Sequence, residues 1–271
     1  MSEPAFDFGG EIVWRPTPDI IEQSRLKQFM DQHGLATFDD LLQRSTTDLD
    51  WFWEAVLKFL DIRFYTPDSP VVDLSKGIEW PHWCVGGVMN IVHNCLDKRI
   101  GTADENKIAL IYESEDGRTR AYTYGQLYRE VNKTTNALRS LGLGKGDAIG
   151  LFMPMVPEIV IALLAIAKLG GIILPLFSGY GAAAIASRLV DAEAKALFTV
   201  DGFYRRGQVM PLKIIADEAA RHVPTLRHML VLNHVGASTP MQAGRDRWWH
   251  ALIDWQSDSA ATERTEAEDP L

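Results

Sequence analysis

Cysteine is scarce in this chain: Cys84 and Cys95 are the only two in 271 residues. Two thiols cannot build a disulfide framework, and their spacing fits no zinc pattern. Long apolar runs are missing as well. The greasiest stretch, Ile159 to Phe177, is interrupted by Lys168 and by Gly170-Gly171, whereas a membrane span needs about 20 unbroken apolar residues. The first ten residues, Met1 to Gly10, carry neither a basic start nor an apolar centre, so no signal peptide is visible. Basic charge is also in deficit, with 27 Lys and Arg against 36 Asp and Glu and a formal net charge of −9. Nucleic acid and anionic membrane surfaces both demand a concentrated basic face, so neither is expected as a partner. A reducing cytoplasm is the expected compartment.

What is present is the ordinary balance of a globular protein, 46% hydrophobic and 23% charged. At roughly 150 residues per domain, the length suggests one large domain or two small ones. The acidity is local. Residues 254–271 hold Asp254, Asp258, Glu263, Glu266, Glu268 and Asp269 against a single base, Arg264. The stretch 257–271 is rich in Ser, Thr, Ala and Glu and reads as a linker or frayed end. The eight tryptophans are expected in core and interdomain packing, and the two cysteines as buried, inert thiols.

Residues 1–34 are mostly polar and suggest a helical lead-in. Across 38–61, Leu41, Leu42, Phe52, Val56, Leu57 and Leu60 recur at three- and four-residue spacings, the mark of amphipathic helices. Pro and Gly punctuate 65–83 and forbid a long helix there. A helix is expected from about Gly87 to Leu96. From Lys107 the rhythm changes to alternating strand and helix. Strands are predicted at 108–112, 120–123, 147–152, 172–177, 196–200 and 228–233. Thr123 with Gln126 forms a capping box for the helix that follows, and Pro157 suits the first position of the next one. That helix is apolar on nearly every side, as expected of one buried between layers. The Gly144-Lys-Gly-Asp147 stretch lies between helix and strand and reads as a turn. After Gly236 the pattern fades. The fold class is therefore α/β, a helical N-terminal cap followed by a parallel, helix-covered sheet. The division expected is an extension (1–34), a cap (35–100), a first α/β unit (101–236) and an acidic end (237–271).

Ligands of such sheets bind beyond the C-terminal ends of strands, where loops lead into helices. Two loops there have suitable chemistry. Leu176-Phe-Ser-Gly-Tyr-Gly181 offers glycines for close backbone approach and Phe177 or Tyr180 for stacking on a flat ring. Asp201-Gly-Phe-Tyr-Arg-Arg-Gly-Gln208 offers Arg205 and Arg206, whose guanidinium groups suit a phosphate. Plain tight turns and solvated arginines would account for the same residues. His82 and His93 lack a third ligand, so no metal site is expected.

The segment Trp83-Cys-Val-Gly-Gly-Val-Met-Asn-Ile-Val-His-Asn-Cys-Leu-Asp97 resembles the motif that closes the helical cap of acetyl-CoA synthetases. Thr123-Tyr-Gly-Gln-Leu127 is similar to the first core motif of AMP-forming acyl-CoA ligases. Gly142-Leu-Gly-Lys-Gly-Asp147, Met153-Pro-Met-Val-Pro-Glu158 and Arg188-Leu-Val-Asp-Ala-Glu-Ala-Lys195 continue in the family's order and spacing. The resemblance covers roughly residues 35–236 and implies a two-step ligase. A carboxylate attacks the α-phosphate of ATP, with magnesium, to give an acyl-adenylate; the thiol of coenzyme A then displaces AMP. It also implies that the coenzyme A nucleotide rests on Phe177, Ser178 and Gly179 and on the loop bearing Arg205, with Arg206 and Gln208 beside it. Ser178 stands where the family has a glycine, and Gln208 where acetate enzymes carry a second base. Leu174-Pro175 stands where those enzymes have Ser-Val. These departures weigh against acetate as the substrate. No Ser/Thr/Gly-rich phosphate loop, aromatic-Thr-Glu motif or catalytic lysine matching the family's is found, and the chain stops after Glu268-Asp-Pro-Leu271, where the phosphate loop would begin. No catalytic residue or metal ligand is therefore assigned. The expectation is an N-terminal portion of such a ligase, inactive alone and needing its C-terminal portion. The alternative is a non-catalytic module that binds coenzyme A or a partner.

Overall fold

A computed structural model describes residue 10 and residues 12–271. The lead-in carries two short helices, α1 (Pro18–Gln23) and α2 (Arg25–Gln32). The Ser24 hydroxyl caps the second by accepting from the Lys27 amide at 3.1 Å. Helix α3 (Phe38–Thr47) opens on a reciprocal capping box between Thr37 and Asp40, and α4 (Leu49–Phe59) on Asp48. These helices enclose a small core of their own around Phe29, Met30, Leu41 and Ala55. Leu42 and Leu60, part of the apolar spacing, are exposed instead.

The punctuated stretch forms a two-stranded hairpin, β1 (Val72–Asp73) with β2 (His82–Trp83). Residues 87–89 depart from the predicted helix. Val88–Met89 is a short strand, β3, and the helix α5 (Ile91–Cys95) starts only after Asn90, whose side chain caps it. Gly87 explains the later start: a Cβ there would lie 2.8 Å from the Cys84 carbonyl oxygen, so the chain passes too tightly for any other residue. Both thiols are less buried than expected, Cys84 half-buried and Cys95 exposed. Desolvation still pushes both thiol pKa values up, which disfavours the thiolate.

Strands β4 (Ile108–Glu113) and β5 (Thr119–Thr123) pair antiparallel, and the Thr123–Gln126 box then starts α6 (Tyr124–Ser140). Strand β6 (Ala148–Leu151) is wholly buried, and Pro157 opens α7 (Pro157–Leu169). That helix is buried over most of its length and ends on left-handed Gly170. Next come β7 (Ile172–Pro175), α8 (Ala182–Asp191) and the buried β8 (Ala196–Val200). Residues 201–210 are a hairpin of β9 (Phe203–Arg205) and β10 (Gln208–Met210), followed by α9 (Leu212–Ala220) and β11 (His228–Leu232).

The pattern continues beyond Gly236. Strand β12 (Asp246–Trp248) pairs parallel with β11, and α10 (Trp249–Ile253) follows. Its hydrophobic period was too short to register, since three strand residues and five helical ones span barely one repeat. Buried charge holds this edge: Lys213 and Asp246, both fully buried, meet at 2.8 Å, with Arg245 on the same carboxylate at 2.5 Å. The sheet order is β12-β11-β8-β6-β7, all parallel.

Residues 257–271 do not behave as a frayed end. The Asn132 amide donates to the Asp258 carbonyl at 2.7 Å, and Asn136 to the carbonyls of Ser257 and Ser259 at 2.9 Å each. Thr265–Glu266 forms β13, antiparallel to β3. Glu268 accepts from the Trp83 amide at 2.7 Å and contacts His82 Nδ1 at 3.0 Å. Lys168, at 1% exposure, is held by Asp97 at 2.8 Å beneath this strap. The tryptophans divide: Trp249 packs on Phe198 in the core, whereas Trp14, Trp80 and Trp255 are widely exposed.

Candidate functional site

Strand β6 enters first in sequence, yet it lies inside the sheet. From it the chain winds outward to β7 on one side and, through β8, to β11 and β12 on the other. The direction of winding therefore reverses between β6 and β8. At such a point, the loops leaving adjacent strands diverge and open a crevice beyond their C-terminal ends. A cavity of about 260 Å³ lies there. Pro154, Met155 and Val156 enter it after β6, Ser178 after β7, Phe203 and Tyr204 after β8, and His234 after β11. Tyr112, Glu113, Ser114 and Glu115, from β4 and its turn, close the remaining side.

Both loops singled out in the sequence reach this place, in part. Ser178 lines the cavity. Phe177 is 62% exposed and meets Tyr180 edge-on, ring centroids 5.6 Å apart, while the Arg188 guanidinium lies 4.5 Å over the Tyr180 ring. Gly179 lets the Phe177 ring fold back, since a Cβ there would come within 2.5 Å of the ring. On the other loop, Phe203 and Tyr204 line the cavity, but Arg205, Arg206 and Gln208 stand exposed on the β9–β10 hairpin outside the lining. The hairpin turn puts Arg206 (φ 54°) and Gly207 (φ 73°) both in the left-handed region, as a two-residue turn of this type requires.

Sequence reading missed several neighbours. The Glu115 carboxylate accepts from the backbone amides of Arg206 at 3.2 Å and Gly207 at 3.3 Å, across 91 and 92 residues of sequence. Buried Asp201 fixes the loop after β11. A second cavity of about 360 Å³ shares Tyr112 and His234 with the first. There Arg120 grips Glu158 with two parallel hydrogen bonds of 2.6 and 2.9 Å; this contact outweighs burial and raises the arginine pKa further. Burial lowers the His234 pKa from its ordinary value and so favours the neutral imidazole, and the residue lines both cavities. No local pattern marks these residues. Each is brought in by pairing that is distant in sequence.

Chemically the crevice offers aromatic and aliphatic walls, the Glu113 and Glu115 carboxylates and the His234 imidazole, with the guanidinium groups of Arg205 and Arg206 exposed outside the lining. Among the described residues, no group of three or more His, Cys, Asp or Glu is placed to hold a metal ion, and no helix is long and apolar enough to cross a membrane.

The family model for acetyl-coenzyme A synthetase N-termini matches residues 38–95, and that for AMP-binding enzymes matches residues 97–271. An acetyl-coenzyme A synthetase of Methanothrix soehngenii is 38% identical over 250 residues, covering 91% of this chain and 37% of that protein. One from Deinococcus radiodurans is 40% identical over 241 residues, covering 87% of this chain and 36% of that protein. A solved acetoacetyl-CoA synthetase from Streptomyces lividans superposes with a TM-score of 0.84 at 29% identity, covering 94% of this chain and 40% of the other. The chain thus spans well under half the length of these relatives. With one family model matching everything from residue 97 onward and a second matching the helical cap before it, the chain belongs to the AMP-binding enzyme family.

Proposed function

We propose that this chain supplies the coenzyme A nucleotide end of an AMP-dependent carboxylate–CoA ligase. In that reaction a carboxylate displaces pyrophosphate from ATP to form an acyl-adenylate, and the thiol of coenzyme A then displaces AMP to form the thioester. The observation that carries the reading is the crevice at the winding reversal between β6 and β8. Phe177-Ser178-Gly179 lies on one side of it and the arginine hairpin on the other. An exposed ring over open backbone suits a flat adenine, and Arg205 and Arg206 suit the 3′-phosphate. Gln208 adds an uncharged donor beside them. The partners proposed are coenzyme A, ATP and a small carboxylate; the net charge of −9 speaks against nucleic acid. Two cysteines and no framework fit a reducing cytoplasm.

Magnesium would accompany ATP in the whole reaction; among the described residues no group of three or more His, Cys, Asp or Glu is placed to hold a metal ion, and no step is assigned to it. No Ser/Thr/Gly-rich phosphate loop occurs in these 271 residues, so no triphosphate cradle is proposed for them. Carboxylate-dependent ATP–pyrophosphate exchange by this chain is therefore expected to be absent. The nucleotide assignment is tested by calorimetric titration with coenzyme A and with its 3′-dephospho form. Arg205→Ala should weaken the first and leave the second unchanged. Equal losses for both ligands would sink the phosphate assignment.

A further inference from the structure

We propose that Glu115 is the positioning residue of the arginine hairpin, holding the Arg206-Gly207 turn in the shape that presents its guanidinium groups. The proposal rests on the reading of that hairpin as a nucleotide phosphate site, and it adds a residue from a separate hairpin to it.

The turn between β4 and β5 is itself well defined. The Gly117 amide donates to the Ser114 carbonyl at 2.9 Å, and the Ser114 amide to the Arg118 carbonyl at 3.0 Å. From this turn the Glu115 side chain reaches the other hairpin, and each carboxylate oxygen takes one amide, Arg206 on Oε1 and Gly207 on Oε2. Two successive amides that converge in this way form a small anion-binding concavity. Here the protein's own carboxylate fills it.

The need for such a partner follows from the turn. Arg206 sits at φ 54°, a conformation that a residue with a Cβ adopts only at a cost. The hairpin has just three residues in each strand, too few to pin its tip by ladder bonds alone. Glu115 supplies a restraint from outside, and because it satisfies the amides it leaves the side chains of Arg205 and Arg206 free to face solvent. It also lines the same cavity as Ser178 and Tyr204, so one residue ties the arginine turn to the crevice.

The test uses the full 271-residue chain and two readouts. The first is affinity for coenzyme A and 3′-dephospho-coenzyme A in wild type, Glu115→Ala, Glu115→Gln, Arg205→Ala and the Glu115→Ala/Arg205→Ala double variant. Glu115→Ala should cost about tenfold in coenzyme A affinity, the worth of one charge-assisted contact, with little change for the dephospho form. Glu115→Gln keeps an acceptor oxygen and should recover most of that loss. The double variant should bind no more weakly than Arg205→Ala, because the two residues act on one phosphate. The second readout is amide hydrogen exchange at Arg206 and Gly207, which should speed up in Glu115→Ala while the unfolding midpoint stays put. Unchanged or tighter coenzyme A binding by Glu115→Ala, with Arg205→Ala still defective, overturns the positioning role. So does unchanged exchange at the two amides, whatever the ligand result. If wild type itself fails to prefer coenzyme A, the phosphate reading falls, and the positioning of those guanidinium groups for phosphate falls with it, even where exchange shows Glu115 holding the turn.

Discussion

The Asp201 carboxylate holds the backbone of His234, accepting its amide on Oδ1 at 2.8 Å. The same side chain, 1% exposed, also accepts from the amides of Gly202 and Ala237 at 2.8 Å each and from Val235 at 3.2 Å. One buried carboxylate thereby joins the end of β8 to the loop after β11, which carries His234. Its charge is spread over four dipoles in place of a cation.

Asp201→Ala would strand those donors in the interior. An unsatisfied buried donor is expensive, so a loss of about 3 kcal/mol or more in unfolding free energy is expected. Asp201→Asn keeps one carbonyl oxygen and should lose less. Urea unfolding reads both, and a midpoint unmoved in the alanine variant would contradict the role given to this carboxylate.

Acid should loosen the far edge of the sheet through Asp246. Burial alone would raise its pKa, but hydrogen bonds from Arg245 and Lys213 overcome that and hold it below the ordinary 3.8. A carboxyl with a lower pKa folded than unfolded stabilises above its unfolded value, and that stability disappears as pH falls through the folded value. The vulnerable window therefore begins near 3.8 and extends downward. Asp246→Asn should be less stable at neutral pH, because Lys213 and Arg245 keep Asp217 as their one carboxylate partner, and it should lose less than wild type between about pH 6 and about pH 3. A wild-type-sized acid loss in the variant would assign that loss to other carboxylates.

The strap formed by residues 257–269 should depend on Lys168. Its ammonium is buried against one oxygen of Asp97 at 2.8 Å, and the other Asp97 oxygen accepts from the Thr262 hydroxyl of the strap at 2.5 Å. Removing one member of a buried pair leaves the other uncompensated, so Lys168→Met is expected to cost about 3 kcal/mol. Amide exchange at Glu263 and Ala267 should accelerate more than exchange within β8. Uniform acceleration across the protein would mean that the strap has no separate stability.

These cases show where sequence reading succeeds and stops. Thr123 with Gln126, and Pro157 ahead of an all-apolar helix, announce their elements because cap and period lie within one or two turns of chain. The strap has no period. Its contacts, including the side chain-to-backbone bonds of Asn132, Asn136 and Glu268 across 121 to 185 residues and the pairing of β13 with β3, are all distant in sequence, so the stretch 257–271 looks like a linker until they are seen in place. The crevice divides in the same way. The placement of Ser178 and the arginine hairpin beyond strands of a parallel sheet is legible, because the strand–helix alternation announces those strands. Glu115 and Asp201 are silent because their partners are backbone amides, which leave no mark on composition.

Gly179 makes the sharpest test of the stacking surface. An added Cβ would lie 2.5 Å from the Phe177 ring, and that ring, being 62% exposed, can swing outward without disturbing the core. Gly179→Ala should therefore change unfolding free energy by no more than about 0.5 kcal/mol, as exposed substitutions usually do. If the ring covers adenine, the displaced stacking contact should cost roughly tenfold in affinity for coenzyme A and for its dephospho form alike, since both carry the base. Phe177→Ala should reproduce that loss, and Phe177→Trp should largely preserve binding. Equal affinity in all three variants would take Phe177 out of the nucleotide site and leave the arginine hairpin as its remaining support. A loss confined to coenzyme A would instead show that the turn acts on the phosphate side of the crevice.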